Sequence, residues 1–291
     1  MLAKPVIVVF CHSRAAMLEK CLDSINSAIK RHQWKLILVH QIGFNAVQNV
    51  VNKNLSKVDI LITVRPNYDF PLGNINYNRI LGTSFCFDQL GADYLLAIEE
   101  DNLISKDALS FISFAYEKYK DNKYFRGVNL GSIEFGDSIS KEGFSLLRSG
   151  LHGSAGVITK QSWDTIKKKR LFRFDLTSKQ NAWDSQIEFY LKTGFMVTPN
   201  RSRNLDLGAG GTFAPKSITD PYFQQIKKSW YESRSSEIIN YRRIQIKHSW
   251  RKDVIAFKRI HNIFYKLRTY TLVTKIIRSL LLTNFIKKII S

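Results

Sequence analysis

Pro5-Val-Ile-Val-Val-Phe10 is an unbroken apolar run rich in β-branched side chains. A strand of that kind belongs inside a parallel sheet covered on both faces, where neither side meets water. A polar turn, His12-Ser13-Arg14, follows it, and then Leu18, Cys21, Leu22, Ile25 and Ile29 recur at helical spacing. The same unit repeats down the chain. Residues 36–39 read as a second strand, 45–55 as a helix and 60–64 as a third strand; residues 80–90 read as helical and Tyr94 to Ile98 as a fourth strand. Alternation of this sort predicts an α/β fold, a mostly parallel sheet with right-handed crossovers and helices on its faces. Ligands of such sheets bind beyond the carboxyl ends of the strands, which directs attention to residues 11–14, 40–45, 65–69 and 99–102.

Past residue 102 the alternation loosens. Residues 106–119 predict a helix with Ser105 as its N-cap, residues 125–160 an irregular region with glycines, and residues 182–192 another helix. Beyond Pro215 the composition turns basic and aromatic. Two parts are therefore expected: a catalytic domain over 1–215 and a basic, helical extension over 216–291. The chain carries 44 Lys+Arg against 24 Asp+Glu, a net +20. Residues 216–291 hold 17 Lys+Arg against 4 Asp+Glu, so most of the excess sits in the extension. Three cysteines (Cys11, Cys21, Cys86) have neither metal-ligand spacing nor a disulfide framework and fit a reducing compartment. With Pro5–Phe10 already a core strand, no secretory signal is expected. No stretch approaches the roughly 20 apolar residues of a membrane span.

Three segments could carry chemistry. Glu99-Glu100-Asp101 closes the fourth strand, and three adjacent carboxylates repel unless a cation offsets them. Mg²⁺ and Mn²⁺ take one or two carboxylates together with phosphate oxygens and water, so the cluster suits a metal bridging a diphosphate; a solvated acidic loop is the plain alternative. Trp183-Asp184 precedes a helical run, and Asp184 could be a general base or simply a first-turn charge. Arg201 and Arg203, within Pro199-Asn-Arg-Ser-Arg-Asn204, could pair with phosphates. Gly208-Ala-Gly-Gly-Thr-Phe213, with Gly210 and Gly211, could approach a ligand closely.

In this order, the segments from Pro5 to about Phe213 resemble the GT-A family of eukaryotic β-1,2-N-acetylglucosaminyltransferases. The similarity runs through Pro5–Cys11 with Cys21-Leu22-Asp23, Glu99-Glu100-Asp101 with Ile104 and Asp107, and Gly153-Ser-Ala-Gly156 with Trp163. It continues through Trp183-Asp184 and through Pro199, Ser202-Arg203, Gly208 and Gly211. The resemblance implies a GT-A, Rossmann-like fold and an inverting transfer of a sugar, such as an N-acetylhexosamine, from a nucleotide diphosphate to a hydroxyl. It implies that Asp101 holds Mn²⁺ or Mg²⁺ and that Asp184 is the base. Arg14, Glu99, Glu100, Arg201, Arg203, Gly208, Gly210 and Gly211 would then bind the donor, with the 203–213 loop closing over it. The family's uracil-reading aspartate after the second strand is missing from His40-Gln41-Ile42-Gly43, and Ser185 stands where the catalytic motif often carries an acidic or bulky residue. With a core strand opening at Pro5, the family's membrane anchor and stem are not expected here, as in a bacterial relative with another acceptor.

Within the extension, Leu272-Val273, Ile276-Ile277, Leu280-Leu281, Phe285 and Ile289-Ile290 recur at helical spacing among Lys275, Arg278, Lys287 and Lys288. That pattern suits a helix lying on an anionic membrane surface; a helix packed on the catalytic domain with a solvated basic face is the plain alternative. The expected partners are a nucleotide-sugar donor, a glycan or lipid-linked envelope acceptor and the inner face of the cytoplasmic membrane. Two other classes fit the same composition. One is a GT-A-like protein that binds glycans without turnover; the other is a basic nucleic-acid-binding protein, for which no recognition motif is present, so no nucleic acid is expected.

Overall fold

The computed structural model describes residues 3–131, 143–148, 151, 155–168, 182–208 and 242–243. The first half of the chain runs β1 (Pro5–Cys11), α1 (Ala15–Asn26), β2 (Lys35–Gln41), α2 (Asn45–Asn54), β3 (Ile60–Val64), α3 (Pro71–Ser84), β4 (Tyr94–Glu99). The second half runs β5 (Asn102–Ile104), α4 (Ala108–Tyr119), β6 (Phe125–Asn129), β7 (Gly143–Leu147), β8 (Ala155–Thr159), α5 (Lys160–Lys168), α6 (Trp183–Leu191), β9 (Phe195–Pro199), β10 (Asn204–Asp206), β11 (Arg242–Arg243). The result is a mixed α/β fold with a largely parallel central sheet flanked by helices.

β1 lies where its composition requires, in the middle of the sheet, with Val6 to Cys11 buried. It pairs in parallel with β2 on one side and β4 on the other, Phe10 standing opposite both Val39 and Glu99. β3 continues the parallel order outside β2. The chain thus steps outward from β1 to β3 and returns to place β4 on the opposite flank, making the β1–β4 boundary a topological switch point. One face of this half is sealed by a core in which Val8, Phe10, Ile37 and Val39 meet Phe87, Trp163, Trp183 and Tyr190.

The region expected to be irregular, 125–160, instead supplies three strands of the same sheet. β8 runs antiparallel to β4 and to β6; β6 is parallel to β9, and β9 is antiparallel to β7. Five-residue strands broken by glycine or asparagine, such as Phe125-Arg-Gly-Val-Asn129, carry too little periodicity to read as strands. Arg242–Arg243 extends the sheet beyond β7, so two residues of the 216–291 segment lie at the sheet's edge. The rest of that segment, including the expected basic helix, lies outside the described residues. Among the described residues, no helix is long and apolar enough to cross a membrane.

Two helices begin elsewhere than expected. α3 starts at Pro71, well before residue 80, because its inward face carries Asn74, Asn76, Asn78 and Arg79, and polar burial hides the apolar period. Asn74 instead holds the preceding loop, its Oδ1 accepting the N–H groups of Asn67 and Tyr68 at 2.8 and 3.0 Å. Gly82 lets α3 lie close on the sheet, since a Cβ there would stand 2.8 Å from the Phe10 ring. α4 begins at Ala108 with Asp107, not Ser105, at its N-cap position. Ser105 Oγ donates to Asp107 Oδ1 (2.7 Å), because that carboxylate is turned inward to an arginine.

Candidate active site

The three carboxylates that end β4 point to three different partners. Glu100 turns back into the loop after β1. Its Oε2 accepts the His12 N–H at 2.6 Å, and its Oε1 accepts those of Ser13 and Arg14 at 3.1 Å each. A carboxylate taking three backbone N–H groups at the start of α1 satisfies donors that no preceding turn could reach and complements the helix dipole. Glu100, expected to contact the donor, thus fixes the β1–α1 turn. Glu99, about one-third exposed, pairs with the buried Arg79 of α3.

Asp101 is the buried centre. Its Oδ2 pairs with the Arg14 guanidinium, and its Oδ1 accepts from Asn102 Nδ2 at 2.8 Å. Asn102 in turn accepts from Asn204 Nδ2 (3.1 Å) across the two-stranded β5–β10 sheet, where Asn102 stands opposite Asp206. The Leu207 N–H donates to the Asp101 carbonyl at 2.7 Å, and the Gly208 N–H donates to Asp206 Oδ1 at 2.7 Å. Gly208 is fixed by this crowding. A Cβ there would collide with Asp101 Oδ2 and lie 2.9 Å from Asp206 Oδ1 and 3.2 Å from Arg14 Nη1. Asp101 is pushed up to about 6, first by burial and then by the neighbouring charges of Asp206 and Glu99, with Arg14 and Asn102 opposing.

Among the described residues, no three His, Cys, Asp or Glu side chains gather to hold an ion by themselves. Asp101 and Asp206 still offer hard oxygen donors on either side of Gly208. That set fits Mg²⁺ or Mn²⁺, which binds through one or two carboxylates and takes its other ligands from phosphate and water. At the rim, Phe44 is 40% exposed and meets the His12 ring edge-on at 4.6 Å.

The remaining sequence-derived residues divide. Arg14, Glu99, Asp101 and Gly208 converge at the ends of β1 and β4. Arg203, expected at a phosphate, is wholly buried instead: its Nε donates to Asp107 Oδ2 at 2.9 Å, and its guanidinium lies 4.3 Å from the Phe111 ring centroid. A guanidinium in the interior needs a carboxylate there, and Asp107 supplies it. Arg201 is half-buried, and its carbonyl accepts from Arg203 Nη1. Gly210 and Gly211 lie outside the described residues. Asp184 occupies the first turn of α6, half-buried, beside Trp183, whose ring lies 5.2 Å from the Arg79 guanidinium.

Two site residues escaped the sequence reading. Asp206 lies between two segments already singled out, and its position on a three-residue strand gives no periodic signal. Arg79 sat inside a helix whose start was misplaced; an arginine on the inner side of Leu72 and Gly82 was the available hint.

No family model matches the chain, and no curated protein matches it. Solved structures overlay on it at low identity. TarS 1-349 of S. aureus is 11% identical, with a TM-score of 0.47 and coverage of 69% of this chain and 59% of that one. The mannosyltransferase PcManGT of Pyrobaculum calidifontis, solved in complex with GDP-Man and Mn²⁺, is 13% identical, with a TM-score of 0.47 and coverage of 68% and 55%. TarS 1-349 in complex with UDP-GlcNAc is 10% identical, with a TM-score of 0.46 and coverage of 69% and 57%. The chain spans less than two thirds of the length of each of these three structures.

Proposed function

We propose that the chain is a glycosyltransferase that uses a nucleotide-diphosphate sugar and a divalent metal. One observation carries this: Arg14, Asp101, Asp206 and Gly208 meet at the carboxyl ends of β1 and β4, at the switch point where a parallel sheet binds its ligand. Cationic and anionic groups side by side suit a diphosphate that arrives with its own metal. Asp101 and Asp206 would hold the ion, and a bound Mn²⁺ or Mg²⁺ would neutralise charge on the departing diphosphate. Arg14 adds a second positive charge there, and Gly208 leaves room for the chain to pass close over Asp101.

Asp184 takes the proton of the acceptor hydroxyl as that oxygen attacks the anomeric carbon. Support comes from its place in the first turn of α6 and from Trp183, which packs on the arginine that holds Glu99. The resemblance to the β-1,2-N-acetylglucosaminyltransferases adds inversion and an N-acetylhexosamine donor to the proposal. A positioned general base contributes about 10²–10⁴-fold, so Asp184→Asn should lower turnover by at least 10² while donor affinity holds. Near-normal turnover in that variant would remove Asp184 from the reaction. The basic extension is proposed to hold the enzyme on the inner leaflet of the cytoplasmic membrane, beside a lipid-linked envelope glycan acceptor.

A further inference from the structure

We infer that Arg79 is a positioning residue that ties the acidic turn after β4 to the amino end of α6. The inference rests on the transferase reading of the site. Arg79 projects from the middle of α3 and is 2% exposed. Its guanidinium is packed against two rings, 4.3 Å from the Phe10 centroid on β1 and 5.2 Å from the Trp183 centroid on α6. Its Nη2 donates to Glu99 Oε1. A single side chain thus touches the end of β1, the end of β4 and the first residue of α6.

An arginine in this place is a poor device for stability. Its desolvation is met by one carboxylate, and its Nε is buried without a hydrogen-bond partner. An apolar side chain of similar length would fill the same space at comparable stability. What the guanidinium alone provides is geometry. Its planar fork fixes the Glu99 carboxylate while its faces lie on the two rings, and lysine lacks both features. Glu99 is partly exposed at the switch point, one residue from the turn-holding Glu100 and two from Asp101; Asp184 follows Trp183 directly. Arg79 therefore sets the donor-side acids and the base of the acceptor side relative to one another, and it touches neither substrate.

Arg79→Met and Arg79→Lys test this in the full-length protein. The probes are UDP-GlcNAc and GDP-mannose with Mn²⁺; affinity is read by calorimetry and turnover by donor hydrolysis. Glu99 is open enough to water that Arg79→Met strands no fully buried charge, so the variant should melt within a few degrees of the parent. Displacing reacting groups by about 1 Å costs on the order of 10²-fold in rate. The expected result is kcat lowered roughly 10- to 100-fold in Arg79→Met with donor Kd within about threefold, and a comparable loss in Arg79→Lys, which keeps the charge without the fork. Unchanged kcat in Arg79→Met would overturn the assignment, as would affinity and turnover falling together, the mark of a merely structural residue. If the parent protein neither binds nor hydrolyses any sugar nucleotide, the transferase reading fails first and this assignment falls with it.

Discussion

Removing Asp107 takes from the buried Arg203 guanidinium the carboxylate it pairs with. Arg203 and Asp107 are both 0% exposed, with Nε and Oδ2 2.9 Å apart, and the guanidinium lies against Phe111. The pair joins the start of α4 to β10: the Ser105 N–H donates to the Arg203 carbonyl, and the Arg203 N–H donates to that of Leu130. Breaking a buried pair by deleting one partner costs about 3–5 kcal/mol, whereas replacing both by apolar groups is close to neutral. Against a total stability of about 5–15 kcal/mol, Asp107→Ala should therefore be severe. With a urea m-value of about 3 kcal/mol/M, its midpoint should drop by about 1–2 M. Asp107→Leu combined with Arg203→Met should recover most of that loss, and urea unfolding followed by circular dichroism measures both. The reasoning is refuted if Asp107→Ala costs less than about 1 kcal/mol, for then Arg203 finds water or another anion and its expected role at a phosphate returns.

Two further outcomes follow. Asp101, pushed up to about 6 by burial first and then by Asp206 and Glu99, must be ionised to meet a metal; donor affinity in Mn²⁺ should fall as pH drops through about 6, and calorimetry giving a constant affinity from pH 5 to 7 would contradict this. Without ligand the sign is opposite: the folded state holds this proton more tightly than the unfolded chain, so Asp101's contribution to stability is lost as pH rises from about 4 to about 6. For the extension, neutralising Lys275, Arg278, Lys287 and Lys288 to Gln in the full chain should weaken binding to phosphatidylserine vesicles, and added salt should weaken the parent likewise. Binding insensitive to both would exclude an electrostatic membrane anchor.

The parallel half of the fold was legible because β1, β2 and β4 are buried on both faces. Pro5–Phe10 and Tyr94–Ile98 are short, β-branched or aliphatic runs bounded by polar turns, and the rule of carboxyl ends directs attention to Arg14 and Asp101, which the structure pairs at the ends of β1 and β4. The antiparallel half was not, because β6, β7 and β8 are five residues long and their pairing is set by partners distant in sequence. α3 hid behind its buried asparagines for a related reason: where polar groups fill the inner face, hydrophobic periodicity carries no information. Charged residues were the hardest to place from the sequence. Glu100 and Arg203 read as ligand contacts, yet each is satisfied inside the protein, by the 12–14 backbone and by Asp107. Asp206, beside Asp101 and Gly208, and Arg79, paired with Glu99, carry no motif of their own. A charged residue's sequence neighbours do not reveal its distant partner, and here the partner decides the role.

The most direct test of the proposed function is a thermal-shift screen of UDP- and GDP-sugars with and without Mn²⁺. A donor present at about 100 times its Kd stabilises by about 2.7 kcal/mol, which for a protein of this size raises Tm by roughly 4–5 °C. The account predicts one sugar nucleotide that gives such a rise only with metal, and none in Asp101→Ala. An equal rise in Asp101→Ala, or no response to any donor, would contradict it.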